Sequence, residues 1–484
     1  MMQGGGPGLR NRRCLYKEKK VNALFEKLLE EIPSYEHFLT AEELDENSRK
    51  LAEKYPDAVS LSVIGKSRAG KDLLCLKIGD EPKTALMFGL PHPNEPIGTM
   101  MLEYLTERLA ADEELRHAFG YTLYAVKAWD YDGYERNEGW IKGPYTLTNY
   151  SRNFYRPIGK QQVDWTFPVD YKELHFHDVM PEAEAMMKLI DTIRPDFIYS
   201  LHNAGFGGVY WYLTKDLDKN LYESLYEAPR KQEIPIHFGE PESPALQVFY
   251  PAVFESGGIC QEYDYLEKYG VKDIASEIDC GTCSDEYAHQ LCGSITFLTE
   301  MPFFYDARIA DRSESDITRG EAIKTRIAWT KESNRKLKEA LALSEDCLGD
   351  DNPFRDSVVC FMKTGSDEAE LRMADEDPAY QNKATVAEKF DSIQCSKFYR
   401  LLSYGMLVRA NELALSRLTE ATPENGIRRA KLQKGLARSA ELHAALAEEL
   451  EEEMQYSVIP IRKLVNVQLE CGLKVAEYLK TYRK

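Results

Sequence analysis

Two apolar, strand-like segments each lead directly into residues that can bind a metal ion. Residues 84–89 read TALMFG and are followed by His92 and Glu95, and residues 196–201 are followed by His202. Two imidazoles and one carboxylate form a ligand set that catalytic zinc sites use, with the fourth position left open for water. The pattern predicts one zinc ion (Zn2+) per chain, bound by His92, Glu95 and His202.

Each of these residues has an ordinary structural explanation when it is taken alone. Pro96 suits the first position of a helix, so Glu95 would lie where a carboxylate stabilises the helix N-terminus without any metal. His92 and His202 would then be loop histidines. The metal interpretation is favoured because the second histidine follows a second strand in an equivalent place.

Glu300 and Arg152 are two further candidates for chemistry. Glu300 follows the apolar stretch 294–299, where a carboxylate is costly unless it is paired or functional. Beside zinc, Glu300 suits a general base that acts on water. Arg152 offers a guanidinium fork that matches a substrate carboxylate. A surface glutamate and a loop salt bridge are the respective alternatives.

The elements that must position these residues alternate between strands and helices. Helical periodicity is present at residues 97–110 and 181–193. Strands are predicted at residues 59–64, 73–78, 84–90, 121–128, 196–201 and 293–299. This alternation predicts an α/β fold with a mixed, mostly parallel sheet and helices on both faces. Ligands of such sheets bind at the carboxyl ends of strands, which is where both histidines lie.

Length and a change in composition divide the chain into three predicted regions. The 484 residues exceed what one core usually supports. Residues 1–56 are predicted to form a flexible lead (1–16) and N-terminal helices, residues 57–348 the α/β catalytic domain that carries the candidate zinc ligands, and residues 349–484 an all-α C-terminal region. Breaks between helical segments are expected at residues 349–353 and 365–378. The helical region shows no ligand cluster, and the sequence leaves open whether it forms an oligomer or covers the cleft.

Bulk composition argues against several classes of protein. The net charge of −19 argues against a nucleic-acid partner, which requires a basic surface. The ten cysteines are dispersed instead of being packed into a disulfide framework. No secretory signal is visible, and no segment reaches the roughly 18 apolar residues of a membrane helix. These features predict a reduced, soluble, cytoplasmic protein.

Three other motifs are interpreted as structural. Residues 65–71 nearly match a phosphate-binding loop, but a strand follows where such a loop must open a helix, so a hairpin turn is predicted. Cys280 and Cys283 form a Cys-x-x-Cys without a second pair, which is more typical of a loop than of a zinc or redox site. His175 and His177 lack an evident third ligand nearby.

Over residues 35–345 the chain resembles the zinc carboxypeptidases of the carboxypeptidase A type. The resemblance rests on landmarks in a fixed order, not on any single motif. These landmarks are residues 55–59, residues 64–72, His92 with Glu95, residues 130–133, residues 151–154, His202 and Glu300. The resemblance implies that His92, Glu95 and His202 bind zinc and that Glu300 is the general base. It also implies that Arg152 binds the terminal carboxylate of the substrate.

The chain departs from the family's pattern at several positions near the expected substrate. Ser151 stands where the family has asparagine, Asn149 lies near the place of an acid that orients the first zinc histidine, and Asn94 occupies a place that is often basic. The arginine that polarises the scissile carbonyl in the family has no clean match, which leaves Lys142 or Arg136 as candidates.

Two further family features are only loosely placed. Asp285 or Glu286 lies near the expected floor of the side-chain pocket, and a carboxylate there would favour a basic residue in the substrate. The family's mobile tyrosine has four candidates: Tyr263, Tyr265, Tyr269 and Tyr287.

The residues and the resemblance together predict a zinc-dependent metallocarboxypeptidase that hydrolyses C-terminal residues from peptides through a zinc-activated water and Glu300. Its expected partner is a peptide with a free C-terminus, and neither nucleic acid nor membrane is expected to bind. Two alternatives stay open. One is a related zinc amide hydrolase that acts on acyl-amino acids or cell-wall peptides, and the other is a non-catalytic binding protein that uses the helical region.

Overall fold

The computed structural model describes residues 7–363 and 366–482, with side chains from residue 19 onward. Residues 1–6 of the predicted lead lie outside the described residues, and residues 7–16 belong to the helix Pro7–Glu30. Residues 364–365, within one predicted break, also lie outside them. The rest of that break contains a helix, Asp367–Glu376.

Twenty α-helices are present among the described residues. In chain order they are α1 (Pro7–Glu30), α2 (Ala41–Lys54), α3 (Ile97–Ala111), α4 (Glu113–Phe119), α5 (Tyr131–Glu135), α6 (Glu138–Ile141), α7 (Leu147–Asn153), α8 (Pro181–Ile193), α9 (Lys219–Lys231), α10 (Ile259–Lys268), α11 (Ile274–Glu277), α12 (Ser284–Cys292), α13 (Arg319–Ala342), α14 (Glu345–Leu348), α15 (Pro353–Phe361), α16 (Asp367–Glu376), α17 (Val386–Phe390), α18 (Ser396–Ser416), α19 (Pro423–Glu453) and α20 (Ile461–Thr481). A π-helical turn at Asp391–Cys395 joins α17 to α18.

The described part of the chain also contains fifteen β-strands. They are β1 (Val59–Lys66), β2 (Asp72–Ile78), β3 (Thr84–Gly89), β4 (Thr122–Val126), β5 (Val169–Tyr171), β6 (Leu174–Phe176), β7 (Phe197–His202), β8 (Tyr210–Leu213), β9 (Val248–Tyr250), β10 (Val253–Glu255), β11 (Ile295–Glu300), β12 (Phe304–Tyr305), β13 (Glu314–Thr318), β14 (Lys383–Thr385) and β15 (Ser457–Val458).

Nine of these strands form one mixed sheet in the order β1-β2-β4-β3-β7-β11-β8-β10-β9. The central strands β4, β3, β7 and β11 run parallel to one another. Antiparallel pairs join β1, β2 and β4 on one side, and β8 is antiparallel to β11 on the other. The predicted α/β class is therefore confirmed. The hairpin turn predicted at residues 65–71 is confirmed as well, because Lys66 pairs with Asp72 between β1 and β2.

Helices cover both faces of this sheet. Along β3, alternate side chains belong to two different apolar cores, one on each face. Ala85 and Met87 belong to the main apolar core, into which α3 and α20 pack. Leu86 and Phe88 point to a second core that contains residues of α8 and α12. Because the central strands are buried on both faces, they read as nearly continuous apolar runs in the sequence.

The C-terminal helices do not form a core of their own. The main core contains Phe398 and Leu473 from this region together with Tyr150 and Tyr199 from the region before it. Helix α20 contacts α3, α9 and the strands β7 and β11, while α18 contacts α7, α15 and α19. The helical region therefore packs directly against the sheet and its connecting loops. In the described part of the chain, no helix is both long and apolar enough to cross a membrane.

Candidate metal centre and active-site cavity

The register of three neighbouring strands brings the candidate residues to one edge of the sheet. His202 is the last residue of β7, Glu300 is the last residue of β11, and these two residues are direct partners in the parallel pairing. On the other side of β7, Gly89 at the end of β3 pairs with Leu201. The loop that carries His92 and Glu95 therefore begins beside His202.

This loop is held in place by its backbone and by the neighbouring loop. Leu90 has a positive φ of 57°, which is uncommon for a residue with a side chain. The amide of Ile97, at the start of α3, donates to the side-chain oxygen of Asn203 at 2.9 Å. The backbone amide of Asn203 donates to Oε2 of Glu95 at 3.2 Å. Asn203 thus caps α3, and Glu95 is oriented toward the histidines instead of serving as the helix cap.

His92, Glu95 and His202 form a buried cluster, with at most 5% of each residue exposed. Nδ1 of His92 lies 3.0 Å from Oε1 of Glu95, and Nδ1 of His202 lies 3.1 Å from Oε2 of the same carboxylate. One possible ligand atom from each residue lies within 4.8 Å of the others. Nε2 of both histidines is buried without a hydrogen-bond partner. Buried polar atoms of this kind require an explanation, and a zinc ion fits this donor set.

The protonation state of His92 also suits a metal ligand. Burial, reinforced by the positive charge of Arg156, lowers the pKa of His92 to about 3. The imidazole is therefore neutral at physiological pH, which is the form that binds a metal.

Glu300 lies beside this cluster, and only 6% of it is exposed. Its Oε1 atom is 3.6 Å from Nδ1 of His202. Burial raises the pKa of Glu300 well above its usual range, and the nearby carboxylates of Glu242 and Glu95 raise it further. A carboxylate in such surroundings has a high affinity for a proton, which is the property that a general base requires.

The cluster opens into a cavity of about 770 Å³. One wall comes from the sheet and its loops, with the candidate ligands, Glu300 and Tyr212 among its residues. Another part of the wall comes from helices after residue 320, chiefly α18. The residues of α18 that line it are Ser396, Tyr399, Arg400, Leu402, Ser403 and Met406. Helices of the C-terminal region therefore contribute to the wall of this cavity, and whether the region also forms an oligomer stays open.

Asp285 is the predicted substrate-binding residue that lines this cavity. Its carboxylate is already engaged, since Oδ1 accepts from the amide of Glu286 at 3.0 Å and Oδ2 contacts the hydroxyl of Ser256. Asp164 also lines the cavity, and burial, together with the charge of Asp285, raises its pKa to about 7. The sequence had not pointed to Asp164. The role of Asp285 stays a prediction.

Arg152 and Lys142 do not line the cavity. Nη2 of Arg152 forms an ion pair with Glu412 of α18. Lys142 is 42% exposed in its side chain and lies 2.7 Å from Glu43. Arg136, the other candidate for polarising the carbonyl, donates to the carbonyl of Asp132 at 2.7 Å and also lies outside this cavity. The roles predicted for these residues stay predictions.

Arg156 lines the cavity and was missed from the sequence. Its Nη1 donates to Oε1 of Glu95 at 3.1 Å, and its Nε donates to Gln162 at 3.1 Å. Helix α7 ends at Asn153, and the extended segment after it carries this guanidinium to the candidate ligands. The sequence does contain a signal for this change. Proline favours an extended conformation at the residue before it, so Pro157 indicates that Arg156 does not continue the helix that contains Arg152.

The four tyrosine candidates also lie outside the cavity. Tyr263, Tyr265 and Tyr269 belong to a separate apolar cluster, and Tyr287 packs near α8. The tyrosines that line the cavity are Tyr150, Tyr212 and Tyr399.

The motifs interpreted as structural show no metal-binding arrangement. Cys280 and Cys283 are free thiols. His175 and His177 both contact the exposed Asp170 on the β5–β6 hairpin. Within the described ranges, His92, Glu95 and His202 are the only group of three residues that meets the distance requirement for a shared metal ion.

Comparisons with known proteins agree with the resemblance drawn from the residues. Residues 45–271 match the family described as zinc carboxypeptidase, which confirms the resemblance over this part of the chain. No match was found among the curated proteins. Among solved structures, the chain is similar to carboxypeptidase A from Helicoverpa armigera, with 13% identity over 60% of this chain and 72% of that chain and a TM-score of 0.37. A metallo-carboxypeptidase from Burkholderia cenocepacia shows 17% identity over 55% of this chain and 60% of that chain, with a TM-score of 0.33.

Proposed function

Starting from the match of residues 45–271 to the zinc carboxypeptidase family, we propose that the protein is a zinc metallocarboxypeptidase that releases C-terminal residues from peptides. The observation that carries the proposal is the buried cluster of His92, Glu95 and His202 with Glu300 on the adjacent strand. These three ligands would hold one zinc ion. When bound, zinc supplies a Lewis acid that polarises the scissile carbonyl and makes water more acidic.

Glu300 is proposed as the general base. It lies at the cavity wall beside His202, and burial together with the neighbouring carboxylates raises its pKa, so its carboxylate binds a proton more strongly than an exposed glutamate does. Its carboxylate would take a proton from the attacking water and return it to the leaving amine, so one group serves both proton transfers.

Arg156 is proposed as the cation that binds the terminal carboxylate or the developing charge on the scissile carbonyl. It is the arginine that both lines the cavity and contacts the candidate ligand Glu95. Preorganised cations at such positions stabilise the charge that develops during the reaction. Arg152 remains the alternative, and it would first have to leave Glu412.

The test of this function begins with metal analysis and with peptides that carry free or amidated C-termini. We expect stoichiometric zinc, loss of hydrolysis on chelation and a preference for the free carboxylate. Glu300→Gln should retain zinc and lose turnover, whereas Glu339→Gln, which removes an exposed carboxylate on α13, should behave like the parent. A protein that cannot be loaded with zinc would refute the proposal and favour the binding-protein alternative.

Two arginine variants test which arginine binds the terminal carboxylate of the substrate. Arg156→Gln is expected to remove most of the preference for a free C-terminus, and Arg152→Gln to leave it in place. The opposite result would return the role to Arg152. If the parent protein hydrolysed free and amidated peptides equally well in a zinc-dependent reaction, the related amide hydrolase would be favoured over the carboxypeptidase.

A further inference from the structure

One polar face of helix α18 lines the cavity. Ser396, Tyr399, Arg400 and Ser403 are spaced at i, i+3, i+4 and i+7, which puts them on one side of the helix, and all four line the cavity. The other side of α18 carries the fully buried Phe398 and Leu401. A polar helix face that points into a cavity is the arrangement expected where a polar ligand binds.

Arg400 differs from the other arginines of this cavity because no carboxylate in the described part of the chain lies within ion-pair distance of its guanidinium. Arg156 contacts Glu95, and Arg326 forms an ion pair with Glu370. Arg400 donates from Nη1 to the backbone carbonyl of Phe361 at 2.9 Å. Among the described residues it forms no other hydrogen bond and no ion pair within 4.0 Å, so its Nε and Nη2 donors remain free for a ligand.

The surroundings of Arg400 make its unpaired guanidinium unfavourable for the stability of the protein without a ligand. Burial lowers the pKa of Arg400, and the nearby carboxylate of Asp367 offsets that effect only in part. A desolvated charge without a partner destabilises a folded protein. A carboxylate that enters the cavity would offset this cost by accepting two parallel hydrogen bonds from the guanidinium. Asp285, in contrast, already has partners for both carboxylate oxygens.

We propose that Arg400 is a specificity-determining residue, supplied by the C-terminal helices, that binds an acidic side chain of the peptide substrate. This inference rests on the proposed function, because it assigns a second carboxylate in addition to the terminal one bound near Arg156. The preferred substrates are thus acidic peptides, although a carboxylate at the presumed pocket floor would have pointed to basic ones.

The test compares kcat/KM for matched peptides that carry glutamate, glutamine or lysine at each of the last four positions. The parent is expected to favour glutamate over glutamine at one position by roughly tenfold or more, as for a charge-assisted hydrogen bond. Arg400→Gln should lower the rate on the glutamate peptide to that on the glutamine peptide and leave the glutamine peptide unaffected. Arg400→Lys should keep part of the preference, and Arg400→Glu should shift it toward lysine.

The matched control is Arg335→Gln, which removes the same charge from the exposed face of α13 and should change no preference. Equal losses by Arg400→Gln on all peptides, in a protein with an unchanged unfolding midpoint, would overturn the inference. It would also fail if Arg400→Gln removed the preference for free over amidated C-termini, because Arg400 would then bind the terminal carboxylate. In either case the proposed function would still hold if the parent showed zinc-dependent hydrolysis and Glu300→Gln lost it.

Discussion

The position of α18 over the cavity depends on a close approach at Gly405. A Cβ atom at this position would lie 1.9 Å from the carbonyl oxygen of Ser151, which belongs to the backbone of α7. Ordinary van der Waals contact begins at 3.4 Å. Gly405→Ala would therefore force α18 and α7 apart by about 1.5 Å, because neither backbone can rotate away as a side chain could.

Two effects of this displacement are expected. Overpacking of this kind typically lowers the free energy of unfolding by about 1–3 kcal/mol. The displacement also shifts the helix that carries Tyr399 and Arg400 relative to the candidate ligands, and misplacement of binding groups by about 1 Å commonly costs on the order of 100-fold in rate. We expect Gly405→Ala to show both losses while its zinc content stays unchanged.

The matched control is Gly426→Ala in α19, where no atom lies within 4 Å of the added Cβ. Because alanine is a better helix former than glycine, this variant should be neutral or more stable by up to about 1 kcal/mol. Urea unfolding and kcat/KM on one peptide measure both variants. If Gly405→Ala proved as stable and as active as the parent, α18 could not pack against α7 as described.

Three further predictions concern the metal, the docking of α18 and the pH dependence of stability. His202→Ala should abolish stoichiometric zinc binding, measured by metal analysis, because it removes one of three ligands. Phe398→Ala should lower the free energy of unfolding in urea by about 3–5 kcal/mol, because this fully buried ring stacks on Tyr150. Burial and the charge of Arg152 lower the pKa of His443 to about 4, against roughly 6.5 in an unfolded chain. The unfolded state therefore takes up the proton first as the pH falls, and the stability conferred by the neutral imidazole is lost between about pH 6.5 and pH 4. Urea titrations across this range should show a smaller loss for His443→Gln, and identical profiles would contradict this assignment.

The sheet and the candidate metal ligands could be predicted because they depend on local patterns. The strands at β3, β7 and β11 are apolar runs that end abruptly in polar residues, so their type and their carboxyl ends are visible in the sequence. Parallel strands present those ends at one edge, which brings His92 and His202 together without further information. Strand pairing at the far side of the sheet was missed, since β8, β9 and β10 are only three or four residues long.

The arginines were harder to place because tertiary contacts decide where they point. Arg152 and Arg156 are four residues apart, and either could serve a carboxylate as far as residue type is concerned. The ion pair with Glu412 holds Arg152 away from the cavity. That carboxylate lies 260 residues further along the chain, so no local pattern could have indicated the pairing.

The environment of the polar face of α18 could not be predicted from the sequence either, and it bears on the proposed function. Helical periodicity distinguishes the polar side of a helix from its apolar side, but it does not tell whether the polar side meets solvent or an internal cavity. For α18 it meets the cavity of about 770 Å³, whose lining includes both Arg400 and the candidate ligands. The family match ends at residue 271, whereas Glu300 lies on β11 and Arg400 lies on α18. Under the proposed function, Arg400, which would select among substrates, is thus carried by a helix outside the matched region. Variants at Arg400 should therefore change which peptides are cleaved, whereas variants at Glu300 should decide whether any peptide is cleaved.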